Sequence, residues 1–112
     1  MTFDAFLETN NNVAKITMQG ELDASTAPQL KAKLEEAAAQ EPKRLVLIME
    51  GLEYMASAGL RMLIFAKQKM GTGVDIYMVG TQEMVLDTIK KTGFDKSVFL
   101  LDQYDEEQLE AV

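Results

Sequence analysis

The sequence predicts an α/β domain built on a mostly parallel sheet. Three observations lead there. Two short stretches that alternate apolar and polar residues flank an asparagine run near the N-terminus, the pattern of an antiparallel β-hairpin. A nearly unbroken apolar run, RLVLIM at 44–49, has strand length and reads as a central strand buried on both faces. Around it helical and extended patterns alternate, so successive strands are joined by helical crossovers and lie parallel.

The elements follow in order. TFDAFLE sets Phe3, Ala5 and Leu7 against polar neighbours, a half-buried or edge strand. TNNN is a turn, because asparagine tolerates positive φ. VAKITMQ places Ala14, Ile16 and Met18 on one face and Lys15, Thr17 and Gln19 on the other. GELDAST, 20–26, reads as a polar loop whose Asp23, Ser25 and Thr26 are candidate N-caps. The helix APQLKAKLEEAAAQ starts with Pro28 in a first turn that tolerates it and turns Leu30, Leu34 and Ala37 inward.

After the 44–49 strand, EGLEYMA reads as a connection and 57–70 as a second helix. Its expected inward stripe is Leu60, Leu63 and Ile64, with Lys67 and Lys69 complementing the C-terminal dipole and GTG at 71–73 ending it. VDIYMVG is the next strand. TQEMVLDTIKKTG is a third helix, with Thr81 as its expected cap and Gly93 as its stop. SVFLL is a last short strand, and DQYDEEQLEAV a short acidic fourth helix anchored by Leu109 and Val112. No linker, repeat or composition shift divides the chain, so 1–112 is expected to be one domain.

Composition narrows the function classes. The chain has 112 residues, 47% hydrophobic and 26% charged, as ordinary globular proteins do. Without cysteine it has no disulfides and no thiolate metal site. No basic and apolar leader opens the chain and no apolar run is long enough to span a bilayer, so a soluble, cytoplasmic protein with no membrane insertion is expected. A net charge of −7, with scattered lysines, argues against nucleic acid as a partner.

Nothing in the sequence assembles an active site, a metal site or a cofactor cradle. A serine nucleophile needs a general base, and the chain has no histidine. Arg61, one turn beyond Ser57, stays protonated. Calcium loops and phosphate-cradling glycine motifs are missing too. The chain is therefore expected not to be an enzyme, and Ser57 in ASAGL is the residue that needs explaining. It suits an N-cap at the start of the second helix. The same position would also admit a modification site, since a helix N-terminus tolerates a phosphate and the small Ala56, Ala58 and Gly59 leave the hydroxyl accessible.

GELDASTAPQLKAKLEEA, the apolar strand, GLEYMASAGLRML and GTQEMVLDTIKKTGFDKSVFLL together resemble the STAS domain of bacterial anti-sigma factor antagonists. The resemblance runs from about Phe3 to Leu109 and implies the STAS fold, a mostly parallel sheet with an N-terminal hairpin and four helices. Family members bind an anti-sigma factor that is also a serine kinase of the histidine-kinase-like ATPase fold. That kinase phosphorylates a serine at the start of the second helix and so ends the complex; a PP2C-type serine phosphatase resets it. The matching serine here is Ser57. The matching partner surface is Glu21, Asp23, Ser25 and Thr26 together with Ala56, Ala58, Gly59, Leu60 and Arg61. Many members carry D-S-S-G where this chain has Ala56-Ser57-Ala58-Gly59, and an aspartate where it has Ile48. The family also holds STAS scaffolds and accessory subunits of membrane transport systems, in which no serine need be phosphorylated.

Overall fold

A computed structural model describes residues 3–105 and Leu109. Strands β1 (Phe3–Asn10) and β2 (Val13–Leu22) form the expected hairpin, antiparallel over the whole length of β1. Asn11 and Asn12 both take positive φ, 51° and 68°, which is the two-residue turn whose twist matches the strands it joins. Helix α1 (Ala27–Ala39) leads to β3 (Arg44–Met55), and α2 (Ser57–Met70) to β4 (Asp75–Val79). Then come α3 (Glu83–Thr92), a 3₁₀ turn (Phe94–Ser97) and β5 (Phe99–Leu101).

The five strands lie in sequential order, β2 to β5 parallel. Right-handed crossovers between strands placed in sequential order must set every crossover helix on the same face. Accordingly Leu30, Leu34, Leu60, Leu63, Val85 and Ile89 all pack into one core with Ile16, Met18, Leu45, Leu47, Ile76 and Met78. The other face carries a smaller cluster of Val13, Val46, Tyr77 and Val79, closed by Leu109 and Tyr104. The 44–49 run is thus covered on both sides, but by the helical layer on one and by the end of the chain on the other. The fourth helix expected over 102–112 falls largely outside the described residues. Leu109 within it is helical and fully buried, its N–H donating to the Asp105 carbonyl at 2.9 Å.

Several expectations need correction. β2 runs on through Gly20 to Leu22 and β3 through 50–55, where loop and connection were expected. The β2–β3 register slips twice, each time with one extra residue on β3: Thr17 faces Ile48 but Gln19 faces Gly51, and Gly20 faces Leu52 but Glu21 faces Tyr54. Such bulges break the period of two. The inward residues Met49, Leu52 and Met55 therefore recur every third position and do not read as a strand. Ile64 is not part of the inward stripe of α2; it is 37% exposed, and Gly59 and Ala66 line the core beside Leu60 and Leu63. Thr81 does not cap α3, whose N-cap is Gln82. Ser57 does not cap α2: Ala56 holds the N-cap position and Ser57 is the first helical residue.

Candidate functional site

The β2–α1 loop is organised by one carboxylate. Asp23 Oδ1 accepts the Ser25 N–H at 2.9 Å, the Ser25 hydroxyl at 2.7 Å and the Thr26 N–H at 3.1 Å. In return the Thr26 hydroxyl oxygen accepts the Asp23 N–H at 2.9 Å and donates to the Glu21 carbonyl at 3.0 Å. These donors favour the ionised form, so the Asp23 pKa lies below its ordinary 3.8. The Ser25 hydroxyl is the largest cause, and desolvation opposes it. No side chain caps α1; the bonds that would cap it close the loop on itself instead.

The extended ends of β2 and β3 carry this loop to the start of α2. Leu22 pairs with Met55, and the Ala56 N–H donates to the Leu22 carbonyl at 2.8 Å. Gly59 sits over the same point: a Cβ there would lie 2.7 Å from Leu22 Cγ and 3.0 Å from Met55 Cγ. A glycine is what lets α2 descend onto the end of β2. Segments far apart in sequence thus become one surface at the carboxyl edge of the sheet.

Ser57 stands on that edge, exposed, and its hydroxyl hydrogen-bonds to no described residue. The Gly59 and Leu60 N–H groups bond to the Ala56 carbonyl at 2.9 and 3.1 Å, while those of Ser57 and Ala58 have no acceptor among the described residues. An anion on Ser57 would therefore meet free donors and the positive end of a 14-residue helix. Among the described residues no lysine or carboxylate hydrogen-bonds to the hydroxyl. Among the described residues no carboxylates gather as a metal site, and no helix is long and apolar enough to cross a membrane.

The residues expected at the site divide by exposure. Ser25, Ser57 and Arg61 are exposed, and Glu21, Asp23, Ala56 and Ala58 half-buried. Thr26, Gly59 and Leu60 are buried, so they hold the surface from beneath. Sequence reasoning missed Tyr54, 42% exposed and paired with Glu21. It also missed Gln82, whose side-chain amide donates to the Glu50 carbonyl at 2.7 Å and ties α3 to the same edge. The three-residue spacing of Met49, Leu52 and Met55, produced by the bulges, hid how far β3 reaches.

A five-stranded mixed sheet with its helices on one face, and a serine opening the second helix, define a STAS domain. The STAS domain profile matches residues 5–108, and the chain belongs to that family. Among its relatives is the anti-sigma-F factor antagonist RsfB of Mycobacterium tuberculosis, 31% identical over 88 residues, 79% of this chain and 72% of that one. The crystal structure of an anti-sigma factor antagonist from Mycobacterium paratuberculosis superposes with a TM-score of 0.86 at 26% identity, covering 96% of this chain and 92% of that one. The anti-sigma factor antagonist SpoIIAA in its unphosphorylated form shares the fold at a TM-score of 0.75 and 20% identity, with 96% of each chain covered.

Proposed function

We propose that this protein is an anti-sigma factor antagonist whose affinity for its partner is set by phosphorylation of Ser57. The observation that carries the reading is the state of that serine: exposed at the first turn of α2 and hydrogen-bonded to no described residue. Beside it lies the Asp23 loop. In the unphosphorylated protein Glu21, Asp23, Ser25 and Arg61 meet the anti-sigma factor, over a support of Thr26, Gly59 and Leu60 with Ala56 and Ala58 between. A phosphate adds about −1.5 to −2 charges to an edge that already holds Glu21 and Asp23. It would have to be desolvated for the partner to return, so the complex is lost. The partner in this reading is a cytoplasmic serine kinase of the histidine-kinase-like ATPase fold, and a PP2C-type phosphatase restores binding. The protein itself performs no catalysis.

The test is intact mass after incubation with ATP and each purified anti-sigma factor kinase from the source genome, paired with a pull-down. Wild type is expected to gain one phosphate and Ser57→Ala none, while Ser57→Asp loses capture of the kinase. If neither protein gains mass with a kinase proven active on another substrate, Ser57 is no switch and the scaffold role of STAS domains stands instead.

A further inference from the structure

The helical layer has a second surface, at the end opposite Ser57. The later turns of α2, the C-terminus of α3 and the 3₁₀ turn enclose an open groove of about 370 Å³ lined by Ile64, Lys67, Gln68, Thr92, Phe94 and Ser97. Its floor is apolar: Phe94 is buried and Ile64 is the large aliphatic residue that α2 turns outward, 37% exposed. Its rim is basic. Lys67 lies in the wall, Lys90 and Lys91 precede Thr92, and Asp95 and Lys96 stand between Phe94 and Ser97, so lysines outnumber the one carboxylate. These four lysines are among the 11 Lys and Arg residues of an otherwise acidic chain, while Lys69 lines a separate hollow beside Glu41. None of the four is ion-paired to a described residue.

Lysines in the last turns of α2 and α3 complement the helix dipoles. That accounts for neither Lys96, which lies beyond α3, nor the exposed Ile64. The Thr92 hydroxyl is already committed to the Ile89 carbonyl at 2.9 Å and is not free to hold a small anion. A long polyanion would approach the whole molecule and meet its charge of −7. A short acidic segment meets only the local field, because charges more than about 8 Å away are screened at physiological ionic strength.

We propose that this groove docks an acidic amphipathic segment of a partner protein, an apolar side chain seated on Ile64 and Phe94 and carboxylates on the surrounding lysines. Lys67 lies about 15 Å along α2 from Ser57, so the groove stays open while the Ser57 edge is covered. The inference does not depend on how Ser57 is used.

The test is a backbone-amide NMR titration of the full chain with a synthetic glutamate-rich peptide bearing leucines on one helical face, and with its lysine-for-glutamate counterpart. The acidic peptide is expected to shift Ile64, Lys67, Thr92, Phe94 and Ser97 and to leave Ser57 unmoved; the lysine peptide shifts none of them. Lys67→Glu and Lys96→Glu should each weaken binding about fivefold, the scale of one exposed ion pair. Ile64→Ser should weaken it comparably with charge unchanged, and the exposed Lys96 carries the comparison if that variant fails to fold. No shifts at high excess, shifts centred on the Ser57 edge, equal binding of both peptides, or affinity indifferent to Lys96→Glu would each overturn the proposal.

Discussion

Substituting Gly59 by alanine isolates the contact on which the site geometry depends. In an exposed helix the change would stabilise by up to about 1 kcal/mol, since alanine loses less backbone entropy. Here the new Cβ would meet Leu22 Cγ at 2.7 Å and Leu22 Cδ2 at 2.8 Å, with Met55 Cγ at 3.0 Å. Leu22 is 0% exposed and Met55 4%, so neither has solvent to move into. Forcing a methyl into a filled site costs about 1–3 kcal/mol. The overlap outweighs the propensity gain, leaving a net loss of about 1–2 kcal/mol. For a chain this size that lowers Tm by roughly 5–10 °C. Urea denaturation followed by far-UV circular dichroism measures it, with an unchanged m-value expected because the surface exposed on unfolding is nearly the same. Gly73→Ala is the control: nothing lies within 4 Å of its Cβ and its φ is not left-handed, so stability should stay level or rise slightly. A Gly59→Ala protein as stable as wild type would show that Leu22 yields without cost, and that α2 is not held against the end of β2 by this contact.

Thr26→Val removes a buried hydroxyl that serves the Asp23 N–H and the Glu21 carbonyl, and should cost about 1–3 kcal/mol in the same denaturation assay; no loss would mean that water takes over both bonds. Ser25→Ala should move the Asp23 pKa up toward 3.8, seen by carboxyl NMR titration, because the hydroxyl is its largest stabiliser. The sign follows from linkage. A depressed folded pKa gives stability that is present above 3.8 and lost as pH falls through the folded value, so wild type and Ser25→Ala should converge in acid. A pKa unmoved by Ser25→Ala would contradict the hydrogen-bond cause. Leu109→Ala should cost about 2–5 kcal/mol, since the side chain is fully buried on the face the helices leave open. A neutral result would mean that this face needs no cover.

The hairpin was legible because two physical signals coincide there, strict alternation and asparagines able to take positive φ at Asn11 and Asn12. Helix α2 was legible to its boundaries, with Gly71 at φ 83° ending it. The serine at its start was legible as a position, and of its two readings the cap falls, because Ala56 takes that place. Which residue becomes the N-cap depends on where the preceding strand ends, and β3 ends at Met55 because bulges lengthen it. Ile64 was misplaced because a helical stripe is wider than the face its neighbours cover, and the groove beside Phe94 leaves that edge open. Tyr54 and Gln82 carry no local signal; they join the edge through a strand register and a side-chain bond to the Glu50 carbonyl.

Alone, the sequence determined the α/β class, the order of elements and the candidate serine. These rest on periodicity and on backbone preferences that act between near neighbours. Tertiary structure decided which surface the serine belongs to. The slipped register of β3 and the missing side chain at Gly59 set the start of α2 against the loop that Asp23 closes. Non-local pairing of strands, together with steric exclusion in a filled core, made that choice, and neither leaves a pattern within a short stretch of chain.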